Sequence, residues 1–169
     1  MTDSENAPAA RSPGAGGGYM IFIQAIASLA LRIALALPFF KSGLTKWDGF
    51  LELNGGAKYL FAHEFMLHAP SDWSKFWILD KTYPMPYPEI SVWLASFGEI
   101  LLPAALVIGF LTRLSALGML GMIIVIFLVY PQFWATETLP WVAMALALIA
   151  YGPGRISFDF LILNSWKRR

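Results

Sequence analysis

The chain has 169 residues, of which 57% are hydrophobic, 15% aromatic and only 14% charged. About a quarter of the residues in an ordinary soluble domain are charged, so this composition argues against a soluble enzyme. A net charge of +1 argues against nucleic-acid binding, and the absence of cysteine excludes disulfides and iron–sulfur clusters. No charged residue occurs between Leu114 and Thr136, a stretch as long as the about 20 residues that cross a bilayer. The composition therefore predicts an integral membrane protein.

The N-terminal segment, residues 1–18, is rich in glycine and proline and lacks apolar periodicity. Such a segment buries too little surface to offset the entropy of ordering, so we predict a disordered tail. Its acidic Asp3 and Glu5, and the lack of a basic start, argue against a cleaved signal peptide. The first hydrophobic segment is therefore expected to stay in the mature protein.

Four apolar segments follow and predict an all-α four-helix transmembrane bundle over residues 19–159. The first contains Arg32 and can continue as helix to Trp47, whereas the second has Glu99 as its one charge. Thr112 and Arg113 alone separate the second from the third, which predicts a tight antiparallel hairpin. The spans are placed at about residues 19–40, 90–111, 114–131 and 138–152.

The fourth segment has a recognisable start and end. Thr138 is suited to cap its helix, Pro140 falls in the first turn, and the glycines and proline of residues 152–154 end it. Its apolar core is short for a bilayer interior of about 30 Å. We therefore expect flanking aromatic residues or local thinning of the bilayer to complete the span.

Two segments outside the spans are expected to lie at the membrane surface. The insert at residues 48–89 mixes aromatic and charged residues, as interfacial segments do. Within it we predict a short helix at residues 57–68, another at residues 73–79, and an extended run at residues 83–88. The C-terminal stretch, residues 156–169, predicts a surface helix with a basic end, and Ser157 can cap it.

Charge predicts the orientation. Four spans put both termini and the turn at Arg113 on one side of the membrane, and basic residues are in excess there. Basic residues in tails and short turns favour the cytoplasm, so both termini are expected to be cytoplasmic. Most tryptophans and tyrosines then fall on the outer side.

Three motifs, in order, resemble those of the DoxX family. An arginine leads an apolar stretch into Ser-Gly-x-x-Lys at residues 32–46, a Glu-centred helix ends in Gly-x-x-Thr-Arg at residues 98–113, and Gly-x-Gly-Arg-x-Ser-x-Asp closes the domain at residues 152–159. The resemblance implies a small four-helix protein of the bacterial inner membrane. It also implies an accessory subunit of a membrane redox system linked to quinone, since the family name derives from a subunit of a thiosulfate:quinone oxidoreductase.

Alternative functions stay open at this point. Distant relatives assist the assembly of membrane partners or accompany metal-stress genes, so a non-catalytic assembly or scaffold protein is the second hypothesis. A small permease is a third, weakened by the presence of only four spans. Each hypothesis implies a protein partner or a homo-oligomer within the lipid bilayer. The sequence identifies no catalytic residue, and quinone is the one cofactor suggested, because no haem, iron–sulfur or nucleotide motif occurs.

Arg32 and Glu99 are the main candidate site residues. A charge at membrane depth costs at least about 2.5 kcal/mol on insertion scales, so each residue needs a partner or water. They can pair with each other if their helices are neighbours. Such a pair either fixes the helix register or forms a polar pocket for a quinone headgroup, a proton or a partner.

The remaining candidates lie at the ends of the spans. At the end of the first span, the ammonium of Lys46 can approach an anion, or Glu89 or Glu137, although lysines at this depth also extend to the interface without further function. Arg155, Ser157 and Asp159 are expected to form an elbow after the fourth span. His63 and His68 are a weak metal candidate, since a helical pair needs a spacing of four and theirs is five. The candidates at the end of the first span are Lys41, Ser42, Gly43 and Lys46.

Overall fold

The computed structural model describes residues 16–71 and 79–166. Four stretches are long and apolar enough to span a membrane, as predicted. The first three are α1 (Gly16–Leu44), α3 (Pro88–Ile108) and α4 (Thr112–Val129). The fourth runs from Pro131 to Tyr151. The all-α membrane bundle is therefore confirmed, and the small strands of the described residues lie between Trp47 and Pro84.

The four spans pack as antiparallel neighbours around one apolar core. Helix α1 lies mainly against α3, and α4 packs against both α3 and α5 (Leu139–Tyr151). Outward-facing residues of the spans are largely apolar and exposed, for example Leu94 and Leu114, which suits contact with lipid tails. The buried core consists of Leu35, Ala36, Phe39, Leu106, Ala116, Met119, Ile123, Ala145 and Leu148.

The fourth span begins earlier than predicted. A 3₁₀ turn at Pro131–Phe133 and a π-helical turn at Trp134–Thr138 lead directly into α5. This span is therefore 21 residues long and needs no thinning of the bilayer. The predicted cap is wrong, because Thr138 has helical backbone angles and makes no capping bond.

The insert contains more β structure than predicted. The chain forms a hairpin of β1 (Trp47–Gly49) and β2 (Glu52–Leu53), and then the short helix α2 (Gly55–Tyr59). A π-helical turn at Leu60–Glu64 extends α2, so the predicted helix over residues 57–68 ends early. Its last part is instead β3 (Met66–Ala69), whose backbone pairs with β4 (Lys81–Pro84).

The remaining predicted segments fall partly outside the described residues. Most of the predicted tail lies there, although Gly16 to Gly18 already belong to α1. The second predicted helix of the insert, at residues 73–79, also lies almost wholly outside them. At the other end of the chain, positive φ angles at Gly152 and Gly154 turn the backbone into α6 (Phe158–Trp166).

Gly43 permits the close approach of α1 to α3. A Cβ at this position would lie 3.0 Å from the backbone carbon and oxygen of Glu99, which cannot move aside as a flexible side chain can. By contrast, a Cβ at Gly121 in α4 would meet nothing within 4 Å. The two glycines therefore form a matched pair of test positions.

We predict that Gly43→Ala destabilises the bundle by about 1–3 kcal/mol, the usual cost of overpacking, because α1 must move away from α3. Gly121→Ala is expected to stay within about 1 kcal/mol of the unmodified chain. The melting temperature of the purified chain in mild detergent measures both effects. Equal melting temperatures for the two variants would contradict the close approach at Gly43.

Candidate functional site

Arg32 is fully buried inside the bundle, with 0% of its surface exposed. Its Nη1 donates to the carbonyl of Val107 at 3.2 Å, and its Nη2 donates to the carbonyl of Ile156. One side chain on α1 thus holds the end of α3 and the segment before α6. The pairing with Glu99 that the sequence allowed is not made, because the two residues belong to separate polar networks.

Gly109 makes room for the Arg32 guanidinium. Its φ of +77° lies in the left-handed region, which favours glycine. A Cβ there would lie 2.5 Å from Nη1 of Arg32 and 2.6 Å from Cβ of Ser157. Glycine at the end of α3 therefore meets both a backbone and a space requirement.

Asp159 caps the N-terminus of α4, although it lies 47 residues further along the chain. Its carboxylate accepts hydrogen bonds from the backbone nitrogens of Leu111 and Thr112 at 2.7 and 2.8 Å, and from Oγ1 of Thr112 at 2.9 Å. A carboxylate at a helix N-terminus satisfies free N–H groups and interacts favourably with the helix dipole. Nearby, Ser157 Oγ accepts from the backbone nitrogen of Phe160 at 3.1 Å, while Arg155 is exposed. The elbow network is defined here as Arg32, Gly109, Thr112, Ser157 and Asp159.

A second polar cluster lies where α1 ends. Helix α1 stops at Leu44, and Lys46 turns back so that its Nζ contacts Glu99 and donates to Oγ of Ser42 at 3.1 Å. The Lys46 and Glu99 side chains are only 14% and 10% exposed. The ion-pair site is defined here as Ser42, Lys46 and Glu99. The end of α1 thus lies level with the middle of α3.

Aromatic rings pack around Trp47, the residue that follows Lys46 of the ion-pair site. The Trp47 ring lies 5.2 Å from that of Phe97 and 5.8 Å from that of Trp93, centroid to centroid. The Trp93 and Phe97 rings are stacked. Nε1 of Trp47 is buried and has no hydrogen-bond partner in the described part of the chain. A buried N–H without an acceptor is costly, so this donor is available to a ligand.

Thr138 supplies a second unsatisfied group near this level. Its residue is 1% exposed, and its Oγ1 has no partner among the described residues. One turn further along α5, the Trp141 ring lies 5.1 Å from the Phe39 ring of α1. Helices α1 and α5 are antiparallel, so the turn before Trp141, which contains Thr138, lies level with the turn after Phe39, which contains Ser42.

A statistical model of the DoxX family matches residues 27–132. This is more than half of the 169 residues. The chain belongs to the DoxX family. Comparison with curated proteins and with solved structures gave no significant match. The matched range includes Arg32, Lys46, Glu99 and Gly109, whereas the closing motif at residues 152–159 lies beyond it.

In this DoxX family member, several predicted site residues lie apart from both networks. Lys41 is exposed on α1, and the partner of Lys46 is Glu99 and not Glu89 or Glu137. Sequence reasoning also missed Trp47 and Thr138 as site residues. The one sequence signal for Trp47 was its position directly after the Ser-Gly-x-x-Lys motif. Thr138 was predicted to cap a helix, so its hydroxyl was not considered as part of a site.

The two histidines have other contacts in the insert. The His63 ring lies 4.8 Å from that of Tyr59, and Nδ1 of His68 lies 3.0 Å from the carbonyl oxygen of Leu128. In residues 16–71 and 79–166, no three His, Asp or Glu side chains are grouped so that they could hold a metal.

Two groups outside the spans have shifted pKa values. Hydrogen bonds from the hydroxyl and backbone nitrogen of Ser71 lower the pKa of the Asp80 carboxyl. Partial burial, with a smaller contribution from the charge of Glu64, raises the pKa of Tyr130. Through these two bonds Asp80 joins Ser71 to the start of β4.

We predict that Asp159→Ala lowers the stability of this DoxX protein by about 1–3 kcal/mol, because two backbone N–H groups of the α4 terminus lose their acceptor. Asp48→Ala is the control, since Asp48 is exposed and, among the residues that the structure describes, its side chain bonds only that of Asn54. Thermal unfolding of both variants in mild detergent measures the difference. A control that is destabilised as much as the test variant would contradict a capping role for Asp159.

Proposed function

We propose that this DoxX family protein is an accessory subunit of a quinone-linked membrane redox system, and that its ion-pair site holds the quinone headgroup. The observation that supports this most strongly is the unpartnered, buried N–H of Trp47 directly after Lys46, whose ammonium contacts Glu99. A site built to bind no ligand gains nothing from such a donor, because burial without an acceptor is unfavourable.

The residues present suit the chemistry of a quinone. A headgroup carbonyl accepts hydrogen bonds, and both Lys46 Nζ and Trp47 Nε1 donate them. The Glu99 carboxylate can accept a proton from a quinol hydroxyl, or return it when the quinone is reduced. The indole of Trp47, whose Nε1 is the free donor, provides a flat apolar surface for a flat ring.

Electron transfer is assigned to a partner protein in this proposal. The sequence has no cysteine for an iron–sulfur cluster, and its two histidines both lie in the insert and not in the spans. Reduction of the quinone takes two electrons and two protons, so the partner supplies or removes both electrons, while Glu99 exchanges one proton and water at the membrane surface exchanges the other. The protein thereby acts as a binding and proton-exchange subunit.

Exposed aromatic residues favour a second candidate, an assembly or scaffold protein. Phe50 is 96% and Tyr87 78% exposed on the side of the bundle that holds the insert. Large exposed aromatic residues are typical of protein interfaces. A docking partner at this surface fits a redox subunit as well as a scaffold, so it is the ligand that separates the two functions.

Membrane placement is also part of the proposal. We assign the protein to the bacterial inner membrane with both termini in the cytoplasm, because basic residues are in excess on that side. A phosphatase fused after Arg169 is expected to be inactive, whereas one inserted at Phe50 is expected to be active in the periplasm. High activity of the C-terminal fusion would overturn this orientation.

We predict that quinone co-purifies with the protein in mild detergent and that Glu99→Gln lowers the bound amount at least about tenfold, since the amide cannot pair with Lys46. Glu137→Gln, which changes an exposed carboxylate, is the control and is expected to retain quinone. Solvent extraction and chromatography of the purified protein measure the content.

Trp47→Phe keeps the aromatic ring but removes the free N–H, so it tests the site even if Glu99→Gln fails to fold. It is expected to lower quinone content while leaving the melting temperature near that of the unmodified chain. A stoichiometric protein partner without quinone would replace the proposal with the scaffold function. Solute flux in liposomes without bound quinone would replace it with a permease.

A further inference from the structure

A groove of about 400 Å³ opens beside the start of α3, apart from the ion-pair site. One wall comes from α2 and the π-helical turn after it, and the other comes from the first turns of α3. Since Pro88 begins a membrane span, the groove lies at the depth of the lipid headgroups. Its lining residues are Lys58, Ala62, Pro88, Glu89, Val92 and Trp93.

The groove presents one charge of each sign. Lys58 lies on the first wall and Glu89 on the second, and both are exposed. Neither forms a salt bridge with another residue in the described ranges. A ligand that carries a phosphate and an ammonium at short separation would neutralise both charges, and each contact would be a charge-assisted hydrogen bond.

An exposed apolar stripe leads from the groove along α3. Residues four positions apart share one face of a helix, and Glu89 is followed at this spacing by Trp93, Phe97 and Leu101. These three side chains are exposed on the surface of the bundle. They cover about 18 Å of helix rise from Glu89, which provides a track for an acyl chain.

We propose that this groove binds a zwitterionic aminophospholipid, with its phosphate on Lys58, its primary ammonium on Glu89 and an acyl chain along Trp93, Phe97 and Leu101. A primary ammonium donates three hydrogen bonds, whereas the quaternary ammonium of a choline lipid donates none. A glycerol headgroup has no cation for Glu89. The site therefore selects phosphatidylethanolamine over both phosphatidylcholine and phosphatidylglycerol.

Native mass spectrometry of the full chain in detergent, titrated with each of these three lipids, tests the proposal. We expect a single phosphatidylethanolamine to bind at least about tenfold more tightly than either other lipid. Glu89→Gln and Lys58→Ala are each expected to remove most of that preference. Lys81→Ala, which changes an exposed lysine of β4 outside the groove, is the matched control and should bind as the unmodified chain does.

Each other outcome overturns the proposal. Equal binding of phosphatidylcholine shows that the ammonium is not recognised, and equal or tighter binding of phosphatidylglycerol shows a simple anion site. Retention of the preference in Glu89→Gln excludes the assigned contact. Glu99→Gln is expected to keep the lipid preference while losing quinone, so failure of the lipid site and failure of the quinone site are distinguishable.

Discussion

The buried guanidinium of Arg32 is the constraint on which the architecture depends. A charged group inside an apolar bundle must find acceptors within the protein, and Arg32 finds them in the carbonyls of Val107 and Ile156. The carbonyl of Val107 belongs to the last turn of α3, where C=O groups have no partner within the helix, and that of Ile156 lies in the turn before α6. The N–H groups of the arginine thus donate to backbone carbonyls at the ends of other elements, and these carbonyls stabilise its positive charge. These hydrogen bonds hold the elbow against α1. They also place the guanidinium so close to position 109 that only glycine leaves room for it.

The two polar networks lie at different depths and do different work. Along α1, about 18 Å separates Arg32 from the end of the helix at Leu44, next to the ion-pair site. In the elbow network, most donors and acceptors bind backbone groups of other elements, which is typical of a structural role. In the ion-pair site, two side chains of opposite charge bind each other, and the N–H of Trp47 beside them has no partner in the described residues. The buried Nε of Arg32 also has no partner there, but its Nη1 and Nη2 bind backbone carbonyls. The proposed ligand is assigned to the second network because that network combines a free donor with a carboxylate that can exchange a proton.

Much of the fold could be predicted from the sequence because hydrophobic length is a local property. The runs around Arg32, Glu99 and the uncharged stretch after Leu114 each fix a span without reference to the rest of the chain. The insert was harder to predict, because β3 depends on pairing with β4 twelve or more residues away. Thr138 illustrates a competing signal: its type suits a cap, but the preceding π-helical turn continues the helix through it.

The partners of the site residues could not be predicted for a related reason. Arg32 and Lys46 were both possible partners for Glu99, and the relative heights of the helices decide between them. Glu99 lies level with the end of α1, where Lys46 is found, and not with Arg32. Asp159 suited its own helix, yet it caps α4 because the elbow returns the chain to that terminus. Pairings of this kind follow from the relative heights of helices, which hydropathy does not determine.

Photolabelling with an azidoquinone tests the central claim most directly, because it reports where a quinone lies on the folded protein. Peptide mass spectrometry is expected to find the label between Ser42 and Trp47, or between Trp93 and Glu99. Competition with unlabelled quinone should remove it. Label confined to α6 or to the insert beyond Trp47, or label that excess quinone does not displace, would contradict a quinone site at Lys46 and Glu99.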